Sequence, residues 1–354
     1  MRSEDGVTSG GGSGRTGSRG GHPRLPISRE QVDGSFVYRM RGRKITRRAE
    51  IARLDALAIP PAWTEVGIAR SGSAKVLARG KDAAGRTQTI YHPAFRRKQD
   101  RRKFARLSAF GKALPKLRTR VDRDLRRRRL SRDRVVACAI RLIDLRFLRV
   151  GSHEYARRYR SYGVTTLRRS HVDVAAGSVN LDFPGKGRKR QRQRVEDPRV
   201  ARVLARLLEL PGAEVFRFFE EDDGIAHDVR STHVNAYVKR AMGEEFSAKD
   251  FRTWGGTLLA ATSLLDAAPE EFETVARRNA VTRTVVRAVA EQLGNTPAVA
   301  KESYIDPRVL DAVEDPALLA RMRRARGRMR QRHHLGVAEQ STLALLAEVS
   351  RKSA

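Results

Sequence analysis

The sequence predicts an α+β chain, with a small N-terminal β-rich domain followed by a mainly α-helical domain that contains a three-stranded β meander. Three observations carry this. Between Ile27 and Lys98, short apolar segments alternate with Gly/Asp-rich breaks such as "GKDAAGR". Further on, apolar residues return at helical spacing. Between the helical stretches, "SHVDV", "VNLDF" and "KRQRQRV" alternate as strands do.

Residues 1–26 are rich in Gly, Ser and Arg and offer too little apolar surface to offset chain entropy, so a disordered tail is expected. Residues 27–98 form the expected β-rich domain: a short helix from Arg48 to Leu57, the turn-forming "IPPAW", then segments at "VGIAR", "AKVLARG" and "TQTIYH". The charge runs "RRKQDRRKFARL" and "DLRRRRLSRDR" suit solvated helix faces or hinges. Val136, Ile140, Ile143, Phe147 and Val150 share one helical face, with Gly151 where a C-cap belongs, which predicts a buried helix ending in "LRVG". The three strands follow, joined by "AAGS" and "PGKG". Pro198 to Leu335 is expected to be mostly helical, with segments near "RVARVLARLLEL", "STHVNAYVKRAM", "FRTWGGTLLAATSLL", "PEEFETVARRNAVTRTVVRAVAEQL" and "TPAVAKESYI". The helical domain thus covers 99–335, and 336–354 forms a C-terminal helix or tail around "VAEQSTLALLAEVS".

With 354 residues and 40% hydrophobic content, the chain can fill two cores. Its 73 Lys+Arg against 40 Asp+Glu leave a net charge of +33, which a polyanion would neutralise, so nucleic acid is the leading partner. No apolar run approaches about 18 residues, and no membrane association is expected. The N-terminal stretch lacks the apolar centre of a signal peptide, which points to the cytoplasm. Cys138, the single cysteine, lies in the apolar run "VVACAI" and reads as core. No Walker A motif occurs, and "GKGRK" lacks the strand and helix of a dinucleotide site. The eight histidines show no HExxH spacing, His333 and His334 read as solvated, and no cluster of carboxylates stands out. Neither a cofactor nor a metal is expected.

Metal-free transfer at a phosphodiester requires a nucleophile, fixed cationic donors for the developing charge, and an acid for the departing oxygen. Tyr304 can supply the first, a little over two turns into a helix with Thr296 as N-cap and Pro297 at its first position. Arg149 and Arg252 stand beside segments that must be buried, and the planar fork of Arg suits two phosphate oxygens. Lys186, between glycines at a predicted hairpin tip, can protonate an alkoxide. Each has an alternative: a packed tyrosine, an ion-paired arginine, a solvated lysine.

"RLIDLRFLRVGSHEY", "YGVTTLRRSHV", "FPGKGRK", "KDFRTWGGT" and "LGNTPAVAKESYI", in this order, resemble the catalytic domain of type IB DNA topoisomerases of the small, poxvirus-type bacterial branch. "LAIPPAW" and "GKDAAGRTQTIYHP" resemble that branch's N-terminal domain, so the likeness runs from about Ile27 to Pro307. It implies that Tyr304 is the nucleophile forming a 3′-phosphotyrosyl bond, that Arg149 and Arg252 hold the nonbridging oxygens, and that Lys186 is the general acid. Asn295 stands where many members carry His, and its amide can donate to the same oxygen without titrating. The likeness further implies that Lys249, Tyr155 and Thr166 contact DNA phosphate or assist the leaving group, and that Gln88 and Tyr91 reach the major groove. Here "TQTIYH" replaces the usual "KQYRYH", and Gly187 follows Lys186 where some viral members have Asp.

The activity so implied is relaxation of supercoiled duplex DNA without ATP or metal, by a monomer closing as a clamp and associated with the cytoplasmic nucleoid. Two other readings fit parts of the pattern. Tyrosine recombinases share the Arg, Lys and Tyr chemistry but usually carry His three residues before the second Arg, where this chain has Lys249. A noncatalytic basic DNA-binding protein would need only the charge.

Overall fold

The computed structural model describes residues 25–220 and 224–352. All but the last two residues of the expected N-terminal tail lie outside them. By internal contacts the chain divides into two compact units, one ending at Arg101 and one beginning at Arg102. The predicted α+β class holds. No described helix is long and apolar enough to cross a membrane.

In the first unit, strands β1 (Ile27–Val32), β2 (Ser35–Met40), β3 (Arg43–Lys44), β4 (Thr64–Ile68), β5 (Val76–Lys81) and β6 (Thr87–Tyr91) form one antiparallel sheet in the order β3-β2-β1-β4-β5-β6. Helix α1 (Arg48–Asp55) buries Leu54 against Ile27, Ile68 and Ala78. The first three strands are absent from the sequence-based expectation. Their signal was present: Asp33 and Gly34 both adopt positive φ (48° and 77°), the requirement of the two-residue hairpin that Asp-Gly favours. The "IPPAW" turn is held by the buried Arg29, which donates to the carbonyls of Ile59, Pro60 and Trp63 at 2.7, 2.8 and 3.1 Å.

Helix α2 (Pro93–Ala105) carries the first charge run and contains the division between the units. In the second unit, α3 (Leu107–Leu125), α4 (Arg132–Arg146) and α5 (His153–Tyr159) precede the meander β7 (Val172–Ala175), β8 (Ser178–Pro184) and β9 (Arg190–Glu196). Then come α6 (Pro198–Glu209), a small hairpin of β10 (Arg217–Phe219) and β11 (Ala226–Asp228), α7 (Ser231–Met242), α8 (Asp250–Asp266), α9 (Val275–Gln292), α10 (Pro297–Ser303), α11 (Pro307–Asp311), α12 (Pro316–Gly327) and α13 (Val337–Lys352).

The core centres on α8, whose Phe251, Trp254, Ala260 and Leu264 are fully buried. Phe110 of α3 meets Phe251 edge-on, with ring centroids 5.1 Å apart. Gly111 lets α3 lie directly on the Trp254 ring, where a side chain would collide. Cys138 is fully buried, and burial pushes its thiol well above the usual range.

Helix α13 is part of this core, with Leu345 and Leu346 fully buried. Arg118 of α3 grips Asp144 of α4 (2.7 and 2.8 Å) and Glu339 of α13 (2.7 and 2.8 Å) and also donates to the carbonyl of His334 at 2.7 Å. Burial opposes the charge of Arg118, but the two carboxylates outweigh it and hold its pKa above the usual value. His334, expected to be solvated, instead lies against the packed unit with only 14% of its side chain exposed.

A second expectation fails at α4. The helix does not run to Gly151; it stops at Arg146, and Phe147 takes a left-handed conformation (φ 53°, ψ 33°). Beyond it Leu148 is buried, and Phe147 and Val150 pack half-buried against the core from a segment without regular secondary structure, so helical spacing misled there.

Candidate active site

The break after α4 is the foundation of the site. The Phe147 ring packs on Gly255 of α8, and its carbonyl accepts a hydrogen bond from Arg252 Nη1 at 2.6 Å. Beyond it the carbonyls of Arg149 and Val150 accept from the N–H groups of Val164 (2.9 Å) and Thr165 (2.7 Å). Gly151 and Gly163 touch backbone to backbone, so this pairing is as close as two chains can come. It fixes Arg149, whose Nη2 donates to Asn295 Oδ1 at 2.6 Å.

Tyr304 is held from α8. Thr296 caps α10, its side chain accepting from Val299 N–H, and Tyr304 is the residue that ends the helix. Buried Thr257 Oγ1 donates to the Tyr304 carbonyl (3.3 Å) and accepts from Asp306 N–H (3.0 Å). A Cβ on Gly256 would lie 2.5 Å from that same carbonyl. Lys103 Nζ reaches the Ser303 carbonyl at 3.1 Å, and Arg308 joins Asp306 to Ser350 of α13. Thr257, Gly256 and Lys103 were not singled out from sequence. Two adjacent glycines in a buried helix, "WGGT", were the available signal.

Arg252 is 5% exposed and spends two donors on carbonyls, those of Phe147 and of Leu293 (2.8 Å). Its guanidinium carbon lies 4.9 Å from the centroid of the Tyr304 ring. Among the described residues neither Arg149 nor Arg252 has a carboxylate partner, although arginines elsewhere pair freely with Asp and Glu. Burial, reinforced by the nearby charge of Arg149, pushes Arg252 down to about 10. Burial alone would raise the Tyr304 phenol, but the positive charges of Arg252, Arg149 and Lys186 outweigh it and lower its pKa below the ordinary value. Two buried donors, Arg252 Nε and Asn295 Nδ2, have no hydrogen-bond acceptor. Among the described residues these two donors lack an acceptor and the two guanidiniums lack a counter-charge, and a phosphodiester offers both.

Lys186 sits in the turn between β8 and β9, exposed, with Gly187 at φ 68°. It lines a narrow cleft together with Arg149, Tyr162, Gln191 and Arg252. Beside it Lys189 Nζ reaches the Asn295 carbonyl at 3.3 Å, joining the β turn to the loop before α10. Tyr304, Arg149, Arg252, Asn295 and Lys186 therefore share one neighbourhood.

The remaining candidates are dispersed. Lys249 is exposed at the start of α8, and Tyr155 is 42% exposed on α5 with its ring against Tyr159. Thr166 is fully buried, its hydroxyl donating to the Gly163 carbonyl and accepting from Gly163 N–H, so it braces the Arg149 segment and offers no surface to a ligand. In the first unit, β6 carries Gln88, which donates to Asp82 at 2.9 Å, and Tyr91, which is 43% exposed.

Residues 92–326, more than half of the chain, match the family model described as the catalytic core of eukaryotic DNA topoisomerase I. Residues 35–82 match the N-terminal domain of bacterial DNA topoisomerase IB. The chain belongs to the type IB DNA topoisomerases. This topoisomerase is 32% identical to the DNA topoisomerase 1B of Acanthamoeba polyphaga mimivirus, over 79% of its own length and 84% of the relative's. It is 21% identical to the DNA topoisomerase 1B of vaccinia virus (strain Copenhagen), over 75% of its own length and 82% of the relative's. As a topoisomerase, the enzyme acts on DNA, in agreement with its charge of +33.

Proposed function

We propose that the enzyme relaxes supercoiled duplex DNA by transient cleavage of one strand, with Tyr304 as the nucleophile. The Tyr304 oxygen forms a bond to phosphorus while the bond from phosphorus to the 5′ oxygen breaks. The phenolic proton leaves to solvent, and Lys186 gives a proton to the departing oxygen. Arg149, Arg252 and Asn295 hold the nonbridging oxygens as charge builds on them. The product is a 3′-phosphotyrosyl link and a free 5′-hydroxyl. Return attack by that hydroxyl restores the strand and the phenol, so no ATP enters the balance. Side chains alone compensate the charge, so cleavage is expected to proceed in the presence of a chelator.

The observation that supports this reading best is Arg252: buried, without a carboxylate, with one donor unspent, and placed over the Tyr304 ring. Tyr304→Phe tests it. The variant is expected to bind duplex DNA as the parent does, yet to form no covalent adduct and relax no plasmid. Mass spectrometry of the parent's trapped adduct should place DNA on Tyr304. Unchanged relaxation by the variant would refute the assignment.

A further inference from the structure

Away from the residues assigned to strand cleavage, three groups from three separate segments converge. His153 opens α5, Glu214 lies just before β10, and Asp228 ends β11. One ligand atom from each lies within 4.8 Å of the others.

The hydrogen bonding of His153 gives this cluster direction. Its Nε2 is 3.2 Å from the carbonyl of Val229, which can only accept, so Nε2 carries the proton there. In the neutral ring Nδ1 then holds a lone pair, and it faces Glu214 Oε2 at 3.3 Å. That oxygen is buried and receives no hydrogen bond. Two lone pairs at this distance repel, so the contact needs either a proton, which makes an imidazolium–carboxylate pair, or a metal ion between them. The nearby Arg168 makes no ion pair with Glu214; its guanidinium sits over the Tyr162 ring, 5.4 Å from the centroid.

We propose that His153, Glu214 and Asp228 bind a divalent first-row cation of the zinc class. An imidazole nitrogen with two carboxylates suits such an ion, and donors in a tetrahedral zinc site stand about 3.4 Å apart. The His153–Glu214 separation already meets that spacing, and exposed Asp228 needs only a small side-chain movement to complete it. A backbone carbonyl on the second imidazole nitrogen is the usual outer support of a metal-bound histidine. The ion would fasten the first turn of α5 to the β10–β11 hairpin, a structural role apart from strand cleavage.

The test uses the full untagged chain, dialysed against a chelator and then titrated with Zn²⁺ against a chromophoric competitor. One equivalent is expected to bind. His153→Ala and Glu214→Gln should each weaken that binding by at least about tenfold, while His333→Ala with His334→Ala leaves it unchanged. Zn²⁺ should raise the melting temperature of the parent and not that of His153→Ala. Co²⁺ bound to the parent should show the visible absorption of a low-coordinate nitrogen and oxygen site, a readout that needs no variant to fold. Absence of saturable uptake by the parent, or equal uptake by parent and His153→Ala, would overturn the proposal and leave an imidazolium–carboxylate pair.

Discussion

The guanidinium of Arg252 lies over the ring of Tyr304, 4.9 Å from its centroid, while two of its donors are fixed on the carbonyls of Phe147 and Leu293. One side chain thus locks the site and charges it. Arg252→Ala is expected to slow single-turnover cleavage by about a hundred- to a thousandfold. It should also lower stability, because each orphaned carbonyl costs about 1–3 kcal/mol. Single-turnover kinetics and urea denaturation measure the two losses separately. Arg252→Lys should recover part of the stability and little of the rate, since an ammonium cannot span both carbonyls and a phosphate.

The pH dependence follows from the lowered phenol of Tyr304. With Tyr304 as the proposed nucleophile, the reactive form is the phenolate, so single-turnover cleavage should rise with pH and level off below the ordinary tyrosine pKa of about 10. Arg149→Ala removes one of the charges responsible and should move that inflection upward as well as slowing the plateau. A rate profile whose inflection stays put in the variant would show that Arg149 does not act on the phenol.

Thr257 touches only backbone, yet it bridges the residues on either side of Ile305. Thr257→Val keeps the shape and removes the hydroxyl, leaving buried Asp306 N–H unpaired at about 1–3 kcal/mol. Displacement of the phenol by about 1 Å is enough to cost about a hundredfold in rate. The expected pattern is slower cleavage with unchanged DNA affinity, and recovery in Thr257→Ser. A purely structural role would lower stability without this kinetic split.

Arg118 pairs with two carboxylates that are 4% and 9% exposed. Arg118→Ala leaves both charges buried and should destabilise the protein by about 3–5 kcal/mol, read from its urea midpoint. Replacing the whole triad with Met at 118 and Leu at 144 and 339 should restore most of that loss, because no charge then remains to be solvated.

Periodicity made the large elements legible. The β7–β9 meander and helices α6 to α10 and α13 lie where alternation and helical spacing put them. It failed where a segment packs on the core without being regular: Phe147 and Val150 fit a helical face, yet the chain leaves the helix after Arg146, and the carbonyls of Arg149 and Val150 find partners in the 163–165 loop instead. Helix α5 and strands β10 and β11 are only 7, 3 and 3 residues long, too short to show a period. The active-site neighbourhood draws on five segments between Arg149 and Tyr304, and no spacing rule joins them; the ordered motifs did. His153, Glu214 and Asp228 lacked even that, since their proximity arises only from the pairing of 167–169 with 213–215 and the hairpin that follows.

The backbone fastenings around Tyr304 bear on mechanics. A duplex end turning while tethered to the phenol would transmit torque into the chain, and that load would reach α8 through the Tyr304 carbonyl and Asp306 N–H, and α13 through Arg308. None of these anchors uses the phenolic oxygen. In the proposed mechanism the arm that would carry the strand is therefore braced at its root, with its ring left to Arg252 at the tip, a build suited to withstanding rotation of its cargo and still releasing it.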